Sequence, residues 1–180
     1  LNTDNSKCSC EIMAFYMKKK DIVEQEELSG DLPDLPLSID IQPFEYKDSS
    51  MMAVSKLRAI NNDNFNCICS YVYPKDHRLI KGHFPEEPVM MGVMQWMMVE
   101  DALLVWAKNT NYKGQSVIKL DAKIVGTSGQ LICDIKGIEC QLYCGVEDIY
   151  DQAEIIKTRK VAFRSRVKPG DELFICLIIK

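Results

Sequence analysis

Several features that would assign this chain to a broad class are scarce or missing. Of its 180 residues only two are histidine and 8% are aromatic. No run of basic side chains is denser than Lys18-Lys19-Lys20, and the formal net charge is −4. Nucleic acids and anionic lipid surfaces are held by basic patches, so neither is expected as a partner. No uninterrupted apolar run is long enough to span a bilayer. The longest apolar stretch, residues 89–107, is broken by Gly92, Gln95, Glu100 and Asp101, and two adjacent carboxylates near its centre argue against a spanning helix. The N-terminus has neither a basic region nor an apolar one of the secretory type, so a cytoplasmic location is expected. It starts on Leu1 rather than Met, as a processed or excised chain would.

What is present is a core-forming composition, 47% apolar and 27% charged. At roughly 100–200 residues per domain, that is one domain, with or without an elaboration. Eight cysteines fall at 8, 10, 67, 69, 133, 140, 144 and 176, and none has the two-residue gap of a zinc knuckle. The pairs Cys8/Cys10 and Cys67/Cys69 would each share one face of a strand. They read as small core hydrophobes of a reducing compartment, with a metal site or redox pair as the alternative.

The clearest break is Ser29-Gly30-Asp31-Leu32-Pro33-Asp34-Leu35-Pro36, which continues neither a helix nor a central strand. It separates an N-terminal segment, 1–36, from a domain at 37–180. Residues 51–60 and 64–73 are strand-like and joined by Asn61-Asn62-Asp63, which predicts an antiparallel pair. In the second strand Phe65, Cys67, Cys69, Tyr71 and Tyr73 alternate onto one face. The apolar stretch 89–107 is rich in Met, Leu and Ala and apolar around nearly its whole circumference, so it predicts a buried central helix. Beyond it come strand-like segments at 117–125, 131–143, 160–167 and 172–179. Lys168-Pro169-Gly170-Asp171 is a turn, with Pro and Gly at its central positions. The expected fold is α+β, an antiparallel sheet wrapped around one helix.

Both histidines lie in the irregular stretch between strands and helix: Asp76-His77-Arg78-Leu79-Ile80-Lys81-Gly82-His83-Phe84-Pro85-Glu86-Glu87-Pro88. Histidine moves protons near neutral pH, and loops held on a rigid element carry such groups. The helix that follows starts near Met91-Gly92-Val93, where unpaired amides could polarise a carbonyl and a glycine admits close approach. The competing interpretation is structural: His83 caps its loop and Gly92 eases packing.

Gly82-His83-Phe84-Pro85, then Pro88-Val89-Met90, then Gly92-Val93-Met94, resembles the signature of the 3-hydroxyacyl-acyl-carrier-protein dehydratases of the FabA/FabZ type. Residues 160–164 and 167–173 are similar to a strand–turn–strand of that family. The resemblance covers 44–107 and 158–180. It implies the hotdog fold and loss of water from a 3-hydroxyacyl thioester of acyl-carrier protein or coenzyme A, as in fatty acid biosynthesis. His83 would be the base. The Gly92 amide would hold the thioester carbonyl, with Phe84, Pro85, Val93 and Met97 beside the substrate. No metal or cofactor is implied. Sites of this family form between two subunits, so a homodimer or a heterodimer with another hotdog unit is expected.

Three departures stand out against that resemblance. The family's helix acid falls at Met97, whose thioether transfers no proton. Glu100 and Asp101, one turn further along, are the candidate replacements. Met91 and Glu86 stand where Pro and Gly are usual, and the cluster Met90, Met91, Met94, Met97 and Met98 suits either an acyl tunnel or plain core filling. Finally, two strands expected after Lys180 find a counterpart in residues 8–28, which implies circular permutation or a tandem and pairing beside 158–180. Residues 114–157 then look like an insertion. The leading reading is a dehydratase. The alternatives are a non-catalytic acyl-binding or scaffold subunit of a composite site, and an acyl thioesterase.

Overall fold

The computed structural model describes residues 35–80 and 87–180. The expected strands of 8–28, and residues 81–86, which include His83, Phe84 and Pro85, lie outside the described residues. Eight strands form one sheet: β1 (Ile39–Asp40), β2 (Lys56–Ile60), β3 (Cys67–Val72), β4 (Gly114–Gly126), β5 (Leu131–Cys144), β6 (Gln152–Lys157), β7 (Lys160–Phe163) and β8 (Glu172–Ile179). Their order is β1-β2-β3-β8-β4-β5-β6, with β7 also on β5, and every pairing is antiparallel. One α-helix, α1 (Gly92–Asn109), joins β3 to β4 and packs on the sheet. This is an α+β architecture consistent with a hotdog fold.

The β2–β3 link follows from its asparagines. Asn61 adopts φ 47°, and the Asn62 Oδ1 accepts the amides of Asn64 at 3.1 Å and Phe65 at 2.7 Å, so the turn satisfies its own backbone. The first strand starts at Lys56 rather than Met51, because Ser49–Met51 forms a 3-10 turn capped by Asp48. Alternation holds for Cys67, Cys69, Tyr71 and Tyr73, which face the main core with α1. Phe65 departs from that face and packs with Ile68, Val125, Phe174 and Cys176 on a second, smaller cluster. β3 is buried on both sides, so period-two patterning is lost there.

Around α1 the apolar surround predicted from sequence is realised over much of the helix. Met94, Met98, Leu103 and Leu104 are below 2% exposed, and each such side chain contributes about 1.5–3 kcal/mol relative to exposure. The helix starts three residues later than the apolar stretch. Met91 is extended (φ −67°, ψ 141°), and the Met90 amide donates to the Val167 carbonyl at 2.9 Å.

The downstream strands differ in connection from the expected hairpins. The 168–171 turn forms, with Gly170 at φ 99° and the Asp171 carboxylate accepting the Lys168 amide at 2.7 Å. The strands flanking it do not pair with each other: β7 lies on β5 while β8 lies between β3 and β4. Both edges of β8 are therefore occupied. The segment 114–126, expected within an insertion, is β4, bonded on one side to β5 and on the other to β8, so it is interior to the sheet. β6 and β7 run in series along the outer side of β5. They are separated where Gly137, at φ 63°, makes a bulge whose amide donates to the Asp121 carboxylate at 2.7 Å. Among the described residues, the cysteines at 67, 69, 133, 140, 144 and 176 are all buried and unbridged.

Candidate functional site

The start of α1 has no side-chain cap, and Met91 contributes only its backbone, accepting the Met94 amide at 3.0 Å. The amides of Gly92 and Val93 precede the first possible intrahelical acceptors, so they are the donors a helix start offers an anion or a polarised carbonyl. Gly92 serves a close approach. A Cβ there would lie 2.8 Å from Cζ of Phe163, whose ring packs over the helix start while remaining 55% exposed. Of the two roles the sequence suggests for Gly92, close approach of a carbonyl and easing of packing, the Phe163 ring beside it bears on the second.

Helical geometry turns successive residues by about 100°, which sorts α1 into two faces. Val93, Trp96, Met97 and Glu100 share one, where Val93 is 51% and Trp96 37% exposed. Met94, Met98 and Asp101 share the other, which is buried. The two candidate carboxylates, adjacent in sequence, therefore stand in different surroundings.

Asp101 is 0% exposed and saturated. Its Oδ1 pairs with Lys47 Nζ at 2.6 Å and its Oδ2 accepts the Ala53 amide at 2.7 Å. Burial pushes its carboxyl above the usual range, opposed by Lys47 and by the Ala53 amide. Glu100 is half-buried. Its Oε1 accepts the Ile155 amide of β6 at 2.8 Å, and no group among the described residues donates to its Oε2. Burial raises its pKa, with the Ile155 amide and Lys47 pulling the other way. Met97, half-buried one turn before Glu100, packs against the core.

Of the two histidines, His77 is described. It is buried within the turn after β3, its ring 5.5 Å from that of Tyr73, and its Nδ1 accepts the Leu79 amide at 3.2 Å. Burial, then Arg78, holds its pKa below the ordinary histidine value. These contacts give His77 a structural role in the turn that leads to residues 81–86.

Residues 59–128 match the family model ApeI-like, described as ApeI dehydratase. The matched span runs from the end of β2 through β3, the histidine stretch and α1 to the end of β4. It supports the assignment as a hotdog dehydratase of the FabA/FabZ-like kind. No curated protein matches the chain significantly.

Two parts of this neighbourhood were not legible from sequence. Lys47 sits in an irregular segment, 54 positions from its partner Asp101, and nothing local marks it. The second is a basic edge. Between 157 and 168 the chain carries Lys157, Arg159, Lys160, Arg164, Arg166 and Lys168 with no carboxylate, all six exposed. Their interleaving with Val161, Ala162, Phe163 and Val167 hides them from a search for contiguous basic runs. β7 lays Lys160 and Phe163 along the outer side of β5, with Phe163 beside the start of α1, while Lys157 and Arg166 pair with Glu139 and Glu87. No helix among the described residues is long and apolar enough to cross a membrane.

Proposed function

We propose that the protein is a hotdog dehydratase that removes water from 3-hydroxyacyl thioesters, or adds it in reverse, with His83 as base and Glu100 as acid. The observation that carries this reading is the match to the ApeI dehydratase model, which runs through the histidine stretch and the whole of α1. His83 takes the proton from C2, and the C–H electron pair moves toward the thioester carbonyl. The amides at Gly92 and Val93 hold the charge that develops on the carbonyl oxygen. As the pair returns to form the C2=C3 bond, the C3–O bond breaks and the hydroxyl leaves as water with a proton from Glu100. Glu100 suits this role because one of its oxygens has no donor among the described residues and burial favours its protonated form. Asp101 does not suit it, since both of its oxygens are committed.

The basic edge supports a polyanionic carrier of the thioester, an acyl-carrier protein or the phosphates of coenzyme A, arriving beside the helix start. The half-open face of Val93 and Trp96 suits cover by a second hotdog unit, identical or different.

The test is hydration of a short 2-enoyl-coenzyme A by the protein alone and with hotdog partners from its own genome. Turnover that falls about 100-fold or more in His83→Ala supports the reading. No turnover in any mixture would abandon it, and thioester hydrolysis without enoyl turnover would replace it with a thioesterase.

A further inference from the structure

Halfway along α1, four elements bring ionisable side chains together. Asp101, fully buried, holds Lys47 at 2.6 Å and the Ala53 amide at 2.7 Å, and so ties the segment 41–55 to the helix. Lys47 is itself 12% exposed, so its ammonium stands largely out of water beside α1. Glu100, the next residue back, is tied on its other side to β6 through the Ile155 amide at 2.8 Å. The charged and titratable groups that act on this neighbourhood are Lys47 and Tyr46 from the 41–55 segment, Asp101 from α1, Cys140 from β5 and Glu154 from β6.

We propose that Lys47 is a positioning residue for Glu100: its ammonium, anchored on the adjacent buried Asp101, sets the charge environment of the Glu100 carboxyl and ties the segment 41–55 to the helix turn that carries it. The inference rests on the reading of Glu100 as the acid of the reaction. Burial raises the proton affinity of Glu100 most strongly; Lys47 lowers it, and Asp101 and Glu154 raise it. The ion pair thus brings to Glu100 two opposed influences from two different side chains. Removing one or the other is expected to move Glu100 in opposite directions, which loss of packing alone would not do.

The experiment titrates the Glu100 carboxyl by carbon-13 NMR in the full chain and, in parallel, records the alkaline limb of dehydration of a short 3-hydroxyacyl-coenzyme A. An acid must be protonated to act, so activity falls as pH rises through the Glu100 pKa. Lys47→Gln is expected to move titration and limb upward. Asp101→Asn, which keeps an oxygen for the Ala53 amide and leaves Lys47 to act on Glu100, is expected to move both downward. The double variant Lys47→Gln/Asp101→Asn, which buries no unpaired charge, is expected to return both toward wild type. If Lys47→Gln fails to fold, the sign in Asp101→Asn and the return in the double variant decide. A Glu100 titration that stays put, or moves the same way in both single variants, overturns the coupling. Titration shifts as expected in the variants of a protein that does not dehydrate the 3-hydroxyacyl thioester leave the coupling standing and overturn the dehydratase reading. A limb that does not follow the titration overturns the positioning role.

Discussion

The face of α1 that carries Met94, Met98 and Asp101 is closed on all sides, whereas the face that carries Val93, Trp96, Met97 and Glu100 is open toward the helix start. Each bears one carboxylate, and the difference in surroundings assigns them different work. On the closed face a charge is tolerated only because Lys47 and the Ala53 amide take up both oxygens, so Asp101 fastens a segment to the helix. On the open face Glu100 is tied by one amide, and its other oxygen has no donor among the described residues. Proximity in sequence therefore says little about chemical role; the number of committed oxygens and the access to solvent decide it.

The strongest way to break this contrast is to unpair the closed face. Lys47→Met leaves Asp101 buried without its cation, and chemical denaturation is expected to show a loss of about 3–5 kcal/mol. The corresponding Glu100→Gln change is expected to cost about 1 kcal/mol or less in stability, since the side-chain carbonyl still accepts the Ile155 amide. Equal losses in the two would erase the distinction between the faces. Next in size is the carrier edge. Lys160→Glu/Arg164→Glu is expected to raise KM for a carrier-bound substrate about tenfold at low salt, with the difference shrinking as salt rises. An unchanged KM would remove the basic edge from the account.

Smaller effects sharpen the picture of the helix start and of the turn before it. Gly92→Ala would press a methyl to 2.8 Å from Phe163 Cζ. Because that ring is half-exposed and free to swing, the expected stability cost is under about 1 kcal/mol. Turnover is expected to suffer more, since the methyl stands at the amide proposed to meet the carbonyl. The smallest effect concerns His77, whose native pKa lies below its ordinary value because of burial and Arg78. The folded state prefers the neutral ring, so this contribution is full above the ordinary histidine pKa and is lost as pH falls through that value toward the native one. Denaturation curves between about pH 7.5 and about pH 5.5 should show that loss in wild type and not in His77→Phe.

Much of the fold was legible where residues make their own structure. Asn61 and Asn62 build their turn, Pro169 and Gly170 build theirs, and the Met- and Leu-rich stretch around Glu100 and Asp101 had to be a buried helix. What escaped depends on partners distant in sequence. The helix starts at Gly92, within the expected 91–93, but the bond just before it, from the Met90 amide to the Val167 carbonyl 77 positions away, has no local signal. The strands around the 168–171 turn look like a hairpin locally, yet the bulge at Gly137 lets β5 take both β6 and β7, while β3 and β4 enclose β8. In the candidate site, Gly92 and the two carboxylates were visible, but which carboxylate remained available was not. That depended on Lys47, whose irregular surroundings carry no periodic signal.

The most direct measurement sets Glu100→Gln beside Asp101→Asn in dehydration of a short 3-hydroxyacyl thioester, each variant first shown to be folded. Glu100→Gln is expected to lose about 100-fold or more in kcat. Asp101→Asn should retain turnover with its alkaline limb displaced downward. Turnover preserved in Glu100→Gln, or abolished in a folded Asp101→Asn, would contradict the assignment of Glu100 as the acid.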